Sequence, residues 1–246
     1  MNKNISILEN YAKEMNIYLS KRQLCQFSDY FDLLIDWNER INLTAITEWE
    51  DVVIKHFLDS MSLLNAFDSF DVFYESMKNK SLADIGTGAG FPGIPLKILI
   101  PELKVTLMDS LEKRINFLNT VISSLELKDI NSVHGRVEDL AHDNLFREKY
   151  DYSTARAVAS LPVLCEYCLP FVKKEGCFYA YKSEKANEEI LASSNSISLL
   201  GGEIRKINNF IIPHSDANRT IIEIKKVECT PIKYPRKAGT PSKKPL

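Results

Sequence analysis

The sequence predicts an α/β protein: a mainly parallel sheet covered by helices on both faces, preceded by a helical N-terminal extension. Three observations carry that prediction. From Ser81 onward, short apolar runs alternate with amphipathic stretches (SLADIG, PGIPLKILI, KVTLMD, LEKRINFLNTVISSL, INSVHG, YDYSTARA, CFYAYK), the pattern of successive strand–helix–strand units. Before them, Phe27, Tyr30, Phe31, Leu34 and Trp37 recur at three- and four-residue spacings, one apolar face of a helix, and no glycine occurs ahead of Gly86. Between the first apolar run and the helix that follows it lies a glycine-rich turn.

The elements follow in chain order. Residues 1–70 read as the helical extension, 71–230 as the sheet domain and 231–246 as a basic, proline-rich tail. The strands expected at GGEIRKINNFIIP and RTIIEIKKV are joined by a polar turn at 214–218, which predicts an antiparallel closing pair. Pro231, Pro235, Pro241 and Pro245 predict an extended final segment.

Composition narrows the function classes. With 45% apolar and 26% charged residues in 246, the chain has the make-up of an ordinary globular protein able to bury a large core. The first residues carry no apolar leader, and no run approaches the roughly 20 apolar residues that span a bilayer, so a cytoplasmic protein is expected. Five cysteines, an odd number, fit reduced thiols, and Cys165, Cys168 and Cys177 fit core packing better than zinc because no second ligand pair follows. No metal site is expected. The net charge of −2 argues against a polyanion binder, but seven basic residues against Glu228 alone lie from Lys225 to the end. A basic tail on an acidic body is compatible with nucleic acid and equally with a solvated terminus.

The strongest local signal is Asp84-Ile85-Gly86-Thr87-Gly88-Ala89-Gly90-Phe91-Pro92-Gly93. Its glycines let backbone approach a ligand, the helix behind offers N–H groups, and Pro92 and Pro95 suit a first helical turn. Gly88, Gly90 and Gly93 satisfy G-x-G-x-x-G, which also admits a nicotinamide or flavin dinucleotide. Asp84, where a dinucleotide site usually has an apolar residue, tilts the reading toward S-adenosylmethionine, whose cationic methionine end an acid can meet. Asp109 closes the next strand 23 positions after Gly86, where a carboxylate can accept from both ribose hydroxyls. The plainer alternative for both acids is capping of strand ends.

With these residues, the chain resembles the bacterial glucose-inhibited division protein B family, the guanine-N7 methyltransferases of small-subunit ribosomal RNA. The resemblance rests on GTGAGFPGIPL at 86–96 and DSLEKR at 109–114, with WNERINLT at 37–44, HFLDS at 56–60, GRVE at 135–138, ARAVA at 155–159 and KYPRKAGTP at 233–241. It implies a Rossmann-like S-adenosylmethionine-dependent methyltransferase fold and a target guanine at position 527 of 16S ribosomal RNA, on naked RNA or the small subunit. Position by position it implies that Gly86 and Phe91 line the cofactor site with Asp84, Gly88 and Asp109, that Val137 and Glu138 flank adenine, and that Arg156 sits at the reaction side. Ala89 and Phe91 stand where some members carry proline and leucine, which leaves the cofactor class unchanged. A monomer is expected.

Guanine N7 is a lone pair without a proton, so its methylation needs no general base, and alignment supplies most of the catalysis. An A-form groove hides N7, so the target base must be unpaired or looped out. The expected catalytic residues are Arg156, orienting guanine or the cofactor carboxylate, and Lys182, meeting RNA phosphate at the sheet edge; their plainer readings are an acid-paired arginine and a solvated lysine. His56, Asp59 and Ser60 read as packing between the helical and catalytic layers more readily than as an active-site cluster, and Phe27, Tyr30, Phe31 and Trp37 as core more readily than as a base-stacking platform. Lys113 and Arg114 are a basic pair beside the loop that is either solvated or set on phosphate. The competing functions are a dinucleotide oxidoreductase, a non-catalytic RNA-binding module, and a small-molecule methyltransferase of the same fold.

Overall fold

A computed structural model describes residues 4–156, 159–183 and 186–246. Ala157 and Val158, within the ARAVA segment, lie outside the described residues. Seven strands form one sheet in the order β3-β2-β1-β4-β5-β7-β6. They are β1 (Ser81–Ile85), β2 (Lys104–Asp109), β3 (Ile130–His134), β4 (Tyr150–Arg156), β5 (Val172–Lys182), β6 (Gly202–Ile211) and β7 (Asn218–Lys226). β1 to β5 run parallel, and β7 pairs antiparallel with both β5 and β6, the closing pair that the two late apolar runs predict. Strand order reverses between β1 and β4, so the crevice at their carboxyl ends is where ligands bind in open sheets of this kind.

The period-two alternation of strand side chains divides the core between the two faces. Leu82, Cys177, Tyr179, Tyr181 and Ile221 point to one face, and Ala83, Phe178, Ala180, Ile222 and Ile224 to the other. The second face packs on helices Leu161–Cys168 and Ser194–Leu199, where Cys165 and Cys168 are buried free thiols, as core packing predicts.

The first face carries helices Gly93–Leu99 and Glu112–Ser124 and, over them, the N-terminal extension. Helix Lys21–Ile41 starts at a reciprocal Ser20/Gln23 capping box and buries Phe27, Tyr30, Phe31 and Leu34, the apolar stripe read from its spacing. Trp37 packs on Phe117 with ring centroids 5.7 Å apart, a core contact. Gln23 donates to the carbonyls of Ile98 (2.9 Å) and Leu99 (3.1 Å), and Gln26 to that of Leu125 (2.9 Å), locking the extension onto the ends of the two helices beneath. Helical structure continues to Met77, seven residues past the expected boundary at 70, because Ser69 accepts from the Val72 amide and starts one more helix, Phe70–Met77.

The final segment differs from the extended tail that its prolines predict. Residues Thr240–Lys243 form a short helix with Pro241 in the first turn, where its missing N–H costs nothing. The tail is also held to the body: Arg236 makes paired bonds to the buried Glu166 carboxylate (2.9 and 2.6 Å), and Arg147 donates to the carbonyls of Thr230 (2.7 Å) and Tyr234 (2.9 Å). Of the seven basic residues from Lys225 to the end, three are paired within the chain, Lys225 on Glu175 and Lys226 on Glu148 from β7 and Arg236 of the tail on Glu166. Among the described residues no helix is long and apolar enough to cross a membrane.

Candidate active site

The carboxyl ends of β1, β2 and β3 open into a cavity of about 440 Å³ lined by Ile85, Gly86, Met108, Asp109, Leu111, Gly135, Val137, Glu138 and Tyr167, with Gly239 and Ser242 from the tail. Gly86, Asp109, Val137 and Glu138 thus come together as the resemblance implies.

Asp84 and Asp109 hold the loop that forms this cavity's floor. Asp84 Oδ2 accepts from Thr87 Oγ1 (2.6 Å) and from the Gly93 amide (2.8 Å), so the side chain ties both ends of the turn. Its Oδ1 is buried with no partner among the described residues, and burial raises the carboxyl pKa to about 6 against the lowering pull of the two bonds. Asp84 does not line the cavity, so the meeting with a cationic ligand end through hydrogen bonds or water that is expected of it is not made from the cavity wall. Strand-end burial and the turn's own donors draw it inward instead. A Cβ on Gly93 would stand 2.4 Å from Leu107 Cδ2 and 2.7 Å from Asp84 Oδ2, so only glycine fits there. Gly88, at φ +60°, has open space where a Cβ would be.

Asp109 accepts from the amides of Gly88 (3.0 Å) and Leu111 (2.9 Å) and from Arg114 Nη1 (3.2 Å). A carboxylate has about four acceptor sites, so one is left for a ligand. Arg114 is therefore a partner of Asp109, and the phosphate alternative for that residue gives way to a loop role.

Phe91 and Gly88 do not line this cavity, a departure from the placement that the resemblance implies; Phe91 sits instead in a second cluster. Its ring stacks on His56 (centroids 4.6 Å, 18° apart), lies 5.4 Å from Tyr30 and sits under the Arg156 guanidinium at 5.0 Å. Tyr30 also donates its hydroxyl to the Ala89 carbonyl, so a residue of the helical extension braces the glycine loop. His56 Nε2 bonds Thr44 Oγ1 (2.8 Å). Burial and the Arg156 charge lower its pKa to about 4, which keeps it neutral at pH 7.

At the ends of β4 and β5 and the start of β7 lies a polar cleft of about 320 Å³ lined by Asp59, Arg156, Tyr181, Lys182, Ser183, Glu189 and Arg219. Asp59, from the extension, takes Arg156 Nη1 on one oxygen (2.6 Å) and Arg219 Nε on the other (2.9 Å). Arg156 also donates to the Lys55 carbonyl (3.2 Å). The acid-paired arginine is thus what the structure contains, but in a cleft wall and not on an open surface. His56 and Asp59, taken as packing residues, stand in the same cluster. Lys182 departs from both expectations: its side chain is only 10% exposed, bonded to Glu189 Oε2 (2.6 Å) and the Ala159 carbonyl (2.9 Å). The charge of Glu189 and the carbonyl draw it away from solvent, so it ties the loop at Ala159 to helix Ala186–Ala192 at the border of the cleft.

Arg219, Tyr167, Gly239 and Ser242 were not among the sequence candidates. Arg219 opens an otherwise apolar strand run, and Gly239 sits at φ +78° inside the Gly-Thr-Pro of the tail; both were visible as local departures from pattern. Nothing in the sequence places them at the site.

A family model described as rRNA small subunit methyltransferase G matches residues 23–219. Among similar proteins, "Ribosomal RNA small subunit methyltransferase G" of Acetivibrio thermocellus is 52% identical over 235 residues, covering 96% of this chain and 93% of that protein. The protein so named from Alkaliphilus metalliredigens is 48% identical over 241 residues, with 98% of both chains covered. Among solved structures, M. jannaschii TYW2 in complex with AdoMet superposes at TM-score 0.51 and 15% identity, covering 63% of this chain and 72% of that one. A mutant 16S rRNA (adenine(1408)-N(1))-methyltransferase with cosubstrate SAM, from Catenulisporales acidiphilia, superposes at TM-score 0.51 and 12% identity, covering 65% and 90%. At such low identity these two structures speak to the Rossmann-like fold alone.

Proposed function

The chain belongs to the rRNA small subunit methyltransferase G family, and on that premise we propose that it transfers the methyl group of S-adenosylmethionine to N7 of a guanine of 16S ribosomal RNA, at position 527. The observation that carries this reading is the pairing, on one rim of the sheet, of a cavity at the ends of β1–β3 with a polar, arginine-walled cleft at the ends of β4 and β5 and the start of β7.

The residues present fit the cofactor. The cavity has the volume of a small-ligand site, Gly88 leaves room for close backbone approach, and Asp109 keeps one acceptor site open. Gly86, Gly88 and Asp109 would hold its central part, Val137 and Glu138 its adenine, and Phe91 would lie toward the cleft; Asp84 would act through the loop it ties. When bound, S-adenosylmethionine supplies an electrophilic methyl on a sulfonium.

The chain's own residues then have two tasks. Arg156 can give a hydrogen bond to guanine O6, and O6 alone, since N7 must stay free to attack. Methylation makes the base cationic, and two bare arginines would oppose that charge; Asp59, bound to both, cancels one of their two charges. Lys182 ties the loop at Ala159 to the helix that carries Glu189 at the cleft border, a positioning role. No group is required to take a proton from N7, nor a metal to activate it. Both halves of the site come from one chain, which supports a monomer as the active unit, and its substrate supports a cytoplasmic place of work.

The test is transfer of tritiated methyl to small ribosomal subunits lacking the modification, followed by cleavage specific for N7-methylguanine. A single labelled guanine is expected, and Arg156→Ala is expected to cut transfer at least a hundredfold while S-adenosylmethionine affinity stays within threefold, as for a lost orienting contact. Affinity falling in step with transfer would move Arg156 to the cofactor; NAD binding in place of S-adenosylmethionine would overturn the reading.

A further inference from the structure

The cavity at β1–β3 is walled on one side by the C-terminal tail. Gly239 and Ser242 line it. The Gly239 amide donates to Glu138 Oε1 (2.9 Å), and Ser242 Oγ bonds the Tyr167 hydroxyl (2.9 Å). Tyr167 OH also reaches Glu138 Oε1, at 3.4 Å. Three groups therefore converge on one wall: a carboxylate from the helix after β3, a phenol from the helix after β4, and a segment more than 70 residues further along the chain. The anchors are deep, with Pro241 buried and Glu166, wholly buried, held by three donors of Arg236. Glu138 and Tyr167 can satisfy Gly239 and Ser242 only while the tail lies across the cavity.

We propose that residues 239–242 and Tyr167 form the outer wall of the nucleoside end of the methyl-donor pocket, so that the tail is a cofactor-binding element and not an RNA-binding appendage. This rests on the reading of the cavity given above. Val137, Glu138 and Leu111 line the same cavity, and Leu111, 42% exposed, offers an apolar surface of the kind that a purine ring covers. Glu138 Oε1 is engaged with the tail, which leaves Oε2 for a ligand donor such as an exocyclic amine. Lys237, Lys243 and Lys244 stay exposed outside this wall.

The full-length Ser242→Trp variant tests the assignment. Ser242 is exposed, so the fold tolerates the larger ring, which is expected to intrude on the cavity. S-adenosylmethionine and adenosine, each measured by calorimetry, are expected to lose at least tenfold in affinity, with the thermal midpoint of the unliganded protein unchanged. At saturating donor kcat is expected to hold while KM for the donor rises. Ser242→Ala, which removes only the bond to Tyr167, is expected to lose about threefold. Unchanged adenosine and S-adenosylmethionine affinity in Ser242→Trp, beside a wild type that binds both, overturns the proposal, as does a rise confined to KM for RNA. A wild type that binds neither ligand refutes the methyl-donor reading itself, a separate outcome.

Discussion

The two halves of the sheet's carboxyl rim are built on opposite electrostatic plans. At β1–β3 the acids are tied inward: Asp84 and Asp109 accept mainly from backbone amides of the loop they shape, and the cavity wall is completed by apolar side chains and the tail. At β4, β5 and β7 the cations are tied to acids: Arg156 and Arg219 share Asp59, and Lys182 is held by Glu189. The first plan makes a rigid cradle whose shape selects the ligand. The second makes a polar wall whose charge is nearly balanced, which suits a base that turns cationic during the reaction.

The largest effect is expected where the second plan is broken. Asp59→Ala leaves two arginines, with side chains only 12% and 26% exposed, without their shared partner. Loss of a buried partner of this kind costs about 3–5 kcal/mol, to be read from urea unfolding, and methyl transfer is expected to fall further than donor binding. A loss under 1 kcal/mol would show that Asp59 is not what holds the cleft.

Gly93→Ala breaks the first plan instead. The added methyl meets Leu107 and Asp84 at 2.4 and 2.7 Å, and overpacking of this kind costs about 1–3 kcal/mol. Donor affinity is expected to fall with stability, while the ring stack of His56 on Phe91, followed by the imidazole NMR shifts, is expected to persist. A variant that binds the donor normally would mean that the Asp84 clasp does not shape the cradle.

The smallest effect sharpens the boundary between the halves. His56 has a folded pKa of about 4, below the usual 6.5 of the unfolded chain. Its contribution is therefore full above about pH 6.5 and is lost as pH falls toward 4, because the unfolded state then binds a proton that the folded state refuses. Between pH 7 and pH 5 this amounts to about 1–2 kcal/mol. Asp84, with its raised pKa of about 6, works in the opposite sense, losing stability as pH rises from about 4 to 6. The difference between wild type and His56→Gln, measured by urea unfolding at both pH values, isolates the histidine. Parallel pH slopes would place His56 in solvent.

Much of the fold is legible because it is written locally. The apolar stripe of helix Lys21–Ile41, the seven strands, the antiparallel closing pair and the glycine loop each follow from periodicity or backbone conformation over ten or twenty residues. The family resemblance likewise marked Gly86, Asp109, Val137 and Glu138, and these meet in one cavity. What was misjudged depended on partners far away in sequence. The prolines of the tail correctly forbid a long helix, but they cannot reveal that Glu166, Glu138 and Tyr167 hold that tail in place. Lys182 looked like a free cation because Glu189 and Ala159 are not visible as its partners until the chain is folded.

The sequence by itself thus determined the class of the fold, the position of the glycine loop and the family, since propensity, pattern and motif are properties of short stretches. Only the tertiary structure decided which charges are free. Whether a carboxylate greets a ligand or ties a loop, and whether an arginine reads a base or braces a helix, depends on which donor or opposite charge comes within about 3 Å. Asp59 and Arg219 lie 160 positions apart, and their meeting is set by the packing of the helical extension on the sheet.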